Sequence, residues 1–557
     1  MQVVGIDVGG TNTDATLLSE DKRVLAMVKT PTDHSNILAS TKAALNKILK
    51  LKNDAHPVQL HLSTTLSTNA IVEGKGDSTA VLALAGPGLN IADFGFNFSV
   101  YSIQGYVDHR GRIVKEIDRE EILKIANQLR IDGTKSIAIV GKFSHRNNSL
   151  EIAVKELLET QGWFKVITLG HQLSGSPNFP RRIMSAYLNA SVASIQANFV
   201  QMIEEIIKTN PIISDVKILK ADGGTMGLKE SCLRPIETIL SGPAASIMAA
   251  LALVETCADN AVVVDIGGTT TDIAVIVGGE PLYQRNGAVI GEYQTLVPAL
   301  LTHSIGLGGD SEVHIEEHNI VLGPKRAGTA AALGGDSLTP TDAAIALGLV
   351  ELGVKEKAIA VLKQRTKGKY DSWLKLAEAI IDAFAYQLSE AIHEMYQRLT
   401  KVPVYTVSEI LAPKDIRPKK VIGLGAPATV FIPLVAKILN LPYQILPYSA
   451  GSNGIGAAAA RPTLAISLHV DTEEESLIIP ELAYREKIKR RLFFDRKQAR
   501  RIAIEKLESY AEQMGLSDYG EIQIIEDEAF NVVRGFYTVG RIFSIKAQIR
   551  PAVWRVR

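Results

Sequence analysis

GIDVGGTNTDATLL, residues 5–18, and DIGGTTTDIAVI, residues 265–276, carry one pattern twice. From Asp7 to Asp14 and from Asp265 to Asp272 the copies agree at six of eight positions, as Asp-x-Gly-Gly-Thr-x-Thr-Asp, and they lie 258 residues apart. That interval is the size of a domain, so it predicts a duplicated domain and not a short solenoid repeat. Around each copy, apolar and β-branched runs of strand length alternate with turn residues: VVGIDVGG, TNT and DATLLSE in the first, AVVVDIGG, TTT and DIAVIVGGE in the second. Each reads as strand, Gly-rich turn, strand.

The turns suit a polyphosphate. Gly9 and Gly10, and Gly267 and Gly268, let the backbone approach a ligand and present successive N–H groups. Thr11, Asn12 and Thr13, and Thr269, Thr270 and Thr271, add side-chain donors, so no lysine is required. An acid closing each first strand, Asp7 or Asp265, can hold Mg²⁺ directly or through water, because hard oxygen ligands suit an ion that also bridges phosphates. The alternative for one such turn is a tight hairpin that needs glycine only for its backbone. Two copies with the same acids and hydroxyls favour ligand binding, with one turn gripping a nucleotide from each side of a cleft. The chain contains no GxxxxGK[ST] sequence.

This pattern resembles the actin, sugar kinase and Hsp70 superfamily. The resemblance implies an α/β fold with duplicated ribonuclease-H-like domains and an interdomain nucleotide cleft, and ATP with Mg²⁺ as its cofactors. The stretch KKVIGLGAPATVFIPLVAKIL, residues 419–439, imitates a dinucleotide fingerprint, but it lies late in the chain and a lone GxGxxA is weak. In the superfamily a Gly-rich strand-to-helix turn here packs on adenosine, which implies Gly423, Gly425, Ala426 and Pro427 at the nucleoside end. A close helix–strand contact is the other reading of these glycines. GSNGIGAAAA, residues 451–460, reads as a turn and a close-packed helix start.

Further stretches are similar to the hydantoinase A/oxoprolinase family: LSTTLSTNAIVEGKG at 62–76, ADGGTMGLKESCLRPIETILSGPAASI at 221–247, HSIGLGGDS at 303–311 and PTDAAIALG at 340–348. Their order and spacing cover roughly residues 1–460. The resemblance implies an ATP-dependent hydrolase of the hydantoinase or 5-oxoprolinase type. It would activate a cyclic amide or related carbonyl by phosphoryl transfer, often with a second subunit. The rival readings are an ATPase of reactivase or chaperone type acting on a partner enzyme, and a simple metabolite kinase. Leu301 stands where many members have the Asp of an Asp-x-His pair, which puts a metal site at His303 in doubt. His303 remains a candidate base or a core histidine. GGDS occurs twice, so Asp310 and Asp336 are candidate acids or turn caps. The Pro-Gly-Pro-Ala-Cys-Tyr motif of longer relatives is missing from residues 323–337, so substrate selection is expected to differ.

Composition sets the remaining bounds. A chain of 557 residues with 60 basic and 60 acidic side chains is 46% apolar, enough for three or four domains. Its balanced charge gives no steer towards nucleic acid. Cys232 and Cys257 are too few and too isolated for a disulfide framework or a thiolate metal site, as in a reducing cytoplasm. The N-terminus does not read as a signal peptide, and the longest uncharged apolar run, AASIMAALALV at 244–254, is about half a membrane span. That run follows Ser241-Gly242-Pro243 and reads as a buried helix whose first N–H groups could hold an anion, or simply as a capped helix start. Long amphipathic helices are expected over 178–208 and 372–399. The expected domains are 1–175, 176–465 and a charged α+β extension over 466–557. In the extension DTEEES, 471–476, reads as an acidic linker. Ten of the 22 residues in 485–506 are Lys or Arg, and Ala499, Ile502, Leu507, Tyr510 and Met514 share a helix face that stops at Gly515.

Overall fold

The computed structural model describes residues 1–557 apart from 34–35, 53, 255–258, 285, 317–318, 367–369, 402–414, 489–492 and 517. Cys257 and four residues of the basic 485–506 stretch lie outside the described residues.

The first motif forms the strands Gln2–Val8 and Asn12–Leu18, paired antiparallel, with Val24–Pro31 antiparallel to the second of them. On its other side Gln2–Val8 runs parallel to Val58–Thr64, which runs parallel to Ile213–Leu219. The second motif repeats this layout. Ala261–Ile266 pairs antiparallel with Thr271–Val277, that strand pairs with Glu280–Pro281 and Thr302–Ile305, and Lys420–Leu424 then Tyr443–Ile445 continue in parallel.

Alternation along the strands assigns the two faces. On the first sheet Val4, Ile6, Val8, Ala15 and Leu17 face outward onto helices Ile37–Lys50 and Phe179–Thr209. On the second, Val262, Val264, Ile266, Ile273 and Val275 face outward onto helices Trp373–Thr400 and Ala428–Leu439, where Phe384 and Phe431 stack with centroids 3.7 Å apart. The inner faces meet across two central helices, Ser241–Leu253 and Ser452–Ala459, in one core that includes Val3, Leu18, Val263, Ala274 and Ile276. The Ala-rich run at 244–254 is thus buried all round, which is what an apolar helix without a polar face requires. Close approach here depends on Gly456, whose Cβ would lie 1.9 Å from the Ala245 carbonyl oxygen.

An insertion separates the fourth and fifth strands of the first sheet. It holds a parallel sheet in the order Val166–Leu169, Ser136–Gly141, Thr79–Leu84, Val100–Ser102. The 31-residue helix Phe179–Thr209 joins both units: Phe179, Ile183 and Ala186 pack on Val81 and Val140, and Phe199, Ile203 and Ile206 pack on the first sheet. The expected boundary at 175/176 therefore falls inside this unit, because Ile213–Leu219 returns to pair with Val58–Thr64.

The last part is an antiparallel sheet in the order Tyr484–Lys487, Ser476–Ile479, Ala465–Asp471, Tyr537–Ile549, Ile522–Arg534, covered by helix Arg496–Gln513. The buried face of that helix is Ala499, Ala503, Leu507 and Ala511, with Ile502 and Tyr510 packed against its margin, while Met514 is exposed. Residues 471–476 are not a linker. They turn between two strands of this sheet, and Asp471 and Glu473 grip Arg110 of the insertion, with Arg110 Nη2 2.9 and 2.8 Å from the two Asp471 oxygens. No described helix is long and apolar enough to cross a membrane.

Candidate functional site: two facing hairpins and four carboxylates

Both Gly-rich turns close with the same hydrogen bond: Gly9 N–H donates to the Asn12 carbonyl at 3.1 Å and Gly267 N–H to the Thr270 carbonyl at 2.9 Å. Strand register then sets Asp7 opposite Asp14 and Asp265 opposite Asp272. Alternation turns all four carboxylates towards the central helices. A Cβ on Gly268 would lie 3.5 Å from the Thr11 hydroxyl, so the two turns face each other directly.

The helix starts supply the donors. Asp265 Oδ2 accepts from the Ser246 hydroxyl at 2.5 Å and from Asn453 Nδ2 at 3.2 Å, while Ser246 Oγ is 3.1 Å from Asn453 Oδ1. Burial pushes the Asp7 carboxyl up to about 7; the Ser63 hydroxyl and Asn453 oppose this, and the charges of Asp14 and Asp265 add to it. Burial likewise pushes Asp272 up to about 7 against a hydrogen bond from Ser304, with Asp265 adding to the rise. Asp14 is also raised, by burial first, although Lys29 sits 3.2 Å away. Asp7 Oδ1 is buried with no hydrogen-bond partner. Among the described residues no three His, Cys, Asp or Glu side chains form a ready metal cage. A cation here would take one or two protein oxygens and the rest from phosphate or water, the habit of Mg²⁺.

Raised carboxyl pKa values have a definite sign. A group lifted from 3.8 to about 7 in the folded protein stabilises it most below its unfolded value, and that stabilisation disappears as pH rises through 7. Wild type is therefore expected to lose melting temperature relative to Asp7→Asn between pH 4 and pH 7.5. Parallel pH profiles for the two proteins would contradict the buried, charge-coupled state of Asp7.

The segment after His303 docks on the second turn. Gly309 N–H donates to the Gly267 carbonyl at 3.0 Å and Asp310 N–H to the Gly268 carbonyl at 2.7 Å. Thr341 Oγ1 donates to the Gly309 carbonyl at 2.7 Å. Burial raises the Asp310 carboxyl, opposed by Arg326 at 2.9 Å, and a Cβ on Gly268 would meet Asp310 Oδ2 at 2.9 Å. The Lys420–Leu424 strand delivers Gly425, Ala426 and Pro427 to the same place: a Cβ on Gly425 would lie 2.9 Å from Asp265 Oδ1, and one on Gly309 would lie 3.1 Å from Pro427 Cγ.

Several expected residues are not brought to the turns. Thr13 and Thr271 are fully buried, with hydroxyls 2.9 Å from Thr32 Oγ1 and 2.6 Å from the Leu307 carbonyl, because alternation puts them on the outward, helix-covered faces with Ala15 and Ile273, opposite the carboxylates. Gly423 faces its own following helix, where a Cβ would meet Ile432 Cγ1 at 2.6 Å, so it serves the helix–strand contact. His303 pairs with Ile273 and its neighbour Ser304 with Asp272, so His303 points to the opposite face of the sheet, beside Arg398 and Glu394. Burial and Arg398 lower its pKa there, away from the carboxylates. Asp336 is exposed.

Other residues at the site carried no assigned role in the sequence. Asp14 and Asp272 close the repeated motif, and their recurrence was the available signal. Ser246 and Asn453 lay inside stretches that read as helix starts. Ser241 is spent on structure: its hydroxyl donates to the Thr64 carbonyl at 3.0 Å and accepts from the Thr64 N–H at 3.2 Å, which ties the 62–76 and 221–247 segments together. Ser246→Ala removes one donor to Asp265 and is expected to lower nucleotide affinity by about 1 kcal/mol. Unaltered affinity in calorimetry would show that this bond does not orient Asp265.

Comparison with known proteins follows the same segments. The model of the hydantoinase/oxoprolinase family matches residues 182–465, and that of the hydantoinase/oxoprolinase N-terminal region matches residues 3–162. The caprolactamase subunit alpha of Pseudomonas jessenii is 23% identical over 382 residues, covering 63% of this chain and 55% of its own length. The chain spans 64% and 55% of two curated relatives it matches. Among solved structures, the ATP-dependent caprolactamase from Pseudomonas jessenii aligns over 100% of this chain and 88% of its own with TM-score 0.74 at 18% identity. A nucleotide-free acetone carboxylase aligns over 99% and 88% with TM-score 0.69 at 17% identity.

Proposed function

Because the chain belongs to the hydantoinase/oxoprolinase family, we propose that it is an ATP-dependent enzyme that phosphorylates the carbonyl oxygen of a cyclic amide or a related carbonyl compound. The observation that carries this reading is the pair of like turns facing each other over four inward carboxylates. The two sheets act as ribonuclease-H-like halves that close on one nucleotide. Gly9, Gly10, Thr11 and Asn12 on one side, and Gly267, Gly268, Thr269 and Thr270 on the other, present backbone and side-chain donors to the phosphates. Gly425, Ala426 and Pro427 border the nucleoside end.

Asp7 and Asp265 would hold Mg²⁺, and the orphaned Oδ1 of Asp7 fits that task. Bound there, the ion neutralises charge on the transferring phosphoryl group. Asn453 and Ser246 hold the Asp265 carboxylate fixed in direction. Asp310, clasped by Arg326 beside Gly268, stands where it can orient an acceptor or water. Attack of the carbonyl oxygen on the γ-phosphorus releases ADP and leaves an O-phosphorylated carbon, a far better electrophile than an amide. Water then opens the ring and releases phosphate.

A related ketone is the second acceptor class, favoured by the likeness to acetone carboxylase. Relatives that are named as subunits support a partner protein for the second step. Phosphate release and ring opening followed together, with and without a candidate partner, test the proposal using hydantoin, 5-oxoproline, caprolactam and acetone. The expected result is slow ATP hydrolysis by the chain alone, raised by one of these acceptors when the partner is present. ATP turnover indifferent to every acceptor, yet stimulated by a partner protein, would favour a reactivase instead.

A further inference from the structure

The C-terminal sheet ends on a free edge. Ile522–Arg534 is its outermost strand, 13 residues long, and among the described strands it pairs only with Tyr537–Ile549. The neighbouring strand Ala465–Asp471 reaches only as far as Ile542, so residues 531–541 project beyond the sheet as a two-stranded ribbon. A ribbon with no covered face is marginal in water. Yet its side chains are those of a covered one: Phe530, Val533, Phe536, Tyr537 and Val539 are all exposed, Phe536 completely. Sheet edges are ordinarily guarded by charge, by proline or by shortness. From Ala529 to Val539 there is no proline, and Arg534 is the single charge. Such an edge has the character of an interface.

The pattern along the strand selects its occupant. Glu526–Arg534 runs without an extra residue: one bulge lies before it, at Ile525, and the other places its extra residue, Val539, on the adjoining strand. The midpoint of this regular stretch is Phe530, and its two ends carry opposite charges. Laid antiparallel on itself about Phe530, the strand sets Phe530 against Phe530 and Glu526 against Arg534 twice, and it brings the Phe536 tip to the exposed Ile525 at the other's base. Alternation keeps Glu526, Phe530 and Arg534 on one face. No acid falls opposite another: Glu528 meets Val532, and Asp527, already held by Arg496 and Arg500, meets Val533. Both end charges have capacity, since Arg534 is 65% exposed with one nitrogen 2.6 Å from Glu473, and Glu526 is 54% exposed and 3.6 Å from Lys546.

We propose that this edge is a homodimer interface, in which Ile522–Arg534 pairs with the same strand of a second copy of the chain about a two-fold axis at Phe530. Five strands from each copy then form one continuous sheet, with helix Arg496–Gln513 of both copies on the same face. The interface does not depend on the reaction proposed for the nucleotide turns.

Sedimentation equilibrium of the full chain is expected to show a reversible dimer at micromolar concentration. Phe530→Lys sets like charges against each other on the axis and weakens that dimer by about tenfold or more. Its far-ultraviolet circular dichroism stays that of wild type, because the replaced side chain is exposed. A second measurement does not rely on the lysine variant. A cysteine on the axis meets its own copy at the Cα spacing of an antiparallel pair, which a disulfide can span. Under mild oxidation Phe530→Cys therefore gives covalent dimer, whereas Thr538→Cys, also exposed but on tips that point away from each other, gives none above wild type. A chain that stays monomeric throughout the micromolar range, whether its edge is bare or is covered by a different protein, overturns the proposal. So does a Phe530→Lys dimer as strong as wild type, or cross-linking of Phe530→Cys no better than that of Thr538→Cys.

Discussion

Asp265→Asn is expected to lower phosphoryl transfer by about 100- to 1,000-fold with little change in melting temperature. The substitution keeps the size of the side chain and removes the charge that Ser246 and Asn453 direct. It also relieves the other three acids, because the charge of Asp265 raises the pKa of Asp7, Asp14 and Asp272. Loss of rate without loss of stability is therefore the signature of a group held for function. Asp7→Asn shares the direction with a smaller drop. Measured as the steady-state rate with the best acceptor, wild-type turnover in a folded Asp265→Asn protein would remove this residue from the mechanism.

Gly425→Ala is expected to destabilise the protein by about 2–5 kcal/mol and to abolish nucleotide binding. Gly425 has φ +85°, where an L side chain is strained, and the added methyl would lie 2.0 Å from the Ile266 carbonyl oxygen. Relief requires the strand that carries Asp265 to move, so stability and site geometry fail together. Gly10→Ala is the control for folding: it has no heavy atom within 4 Å of the new methyl and no positive φ. Differential scanning calorimetry separates them. A Gly425→Ala protein that melts with wild type would show that the turn yields without strain.

The duplicated turns were legible because the same acids and glycines recur in strand-length apolar runs, and the backbone bonds of Gly9 and Gly267 are alike. Side-chain direction was less legible. Runs such as TNT and TTT look like three equivalent donors until strand register buries Thr13 and Thr271 on the sheet faces opposite the carboxylates. The same alternation places Ser304, not His303, beside Asp272. Asn453 could not be assigned because its partner Asp265 is 188 residues away, a pairing that local periodicity does not encode. The insertion hid the fifth strand for a related reason: parallel strands need no short connection, so Ile213–Leu219 can return to Val58–Thr64 after any length of chain. DTEEES looked like a linker by composition, and only the folded structure shows Arg110 between its acids.

The central claim is that both turns hold one nucleotide at once, and hydrogen exchange with a non-hydrolysable ATP analogue and Mg²⁺ tests it most directly. The expected result is protection of the amides in 8–14 and 266–272 with a single shared midpoint in nucleotide concentration. Protection of one turn alone, of neither, or of the two at separate midpoints would contradict it.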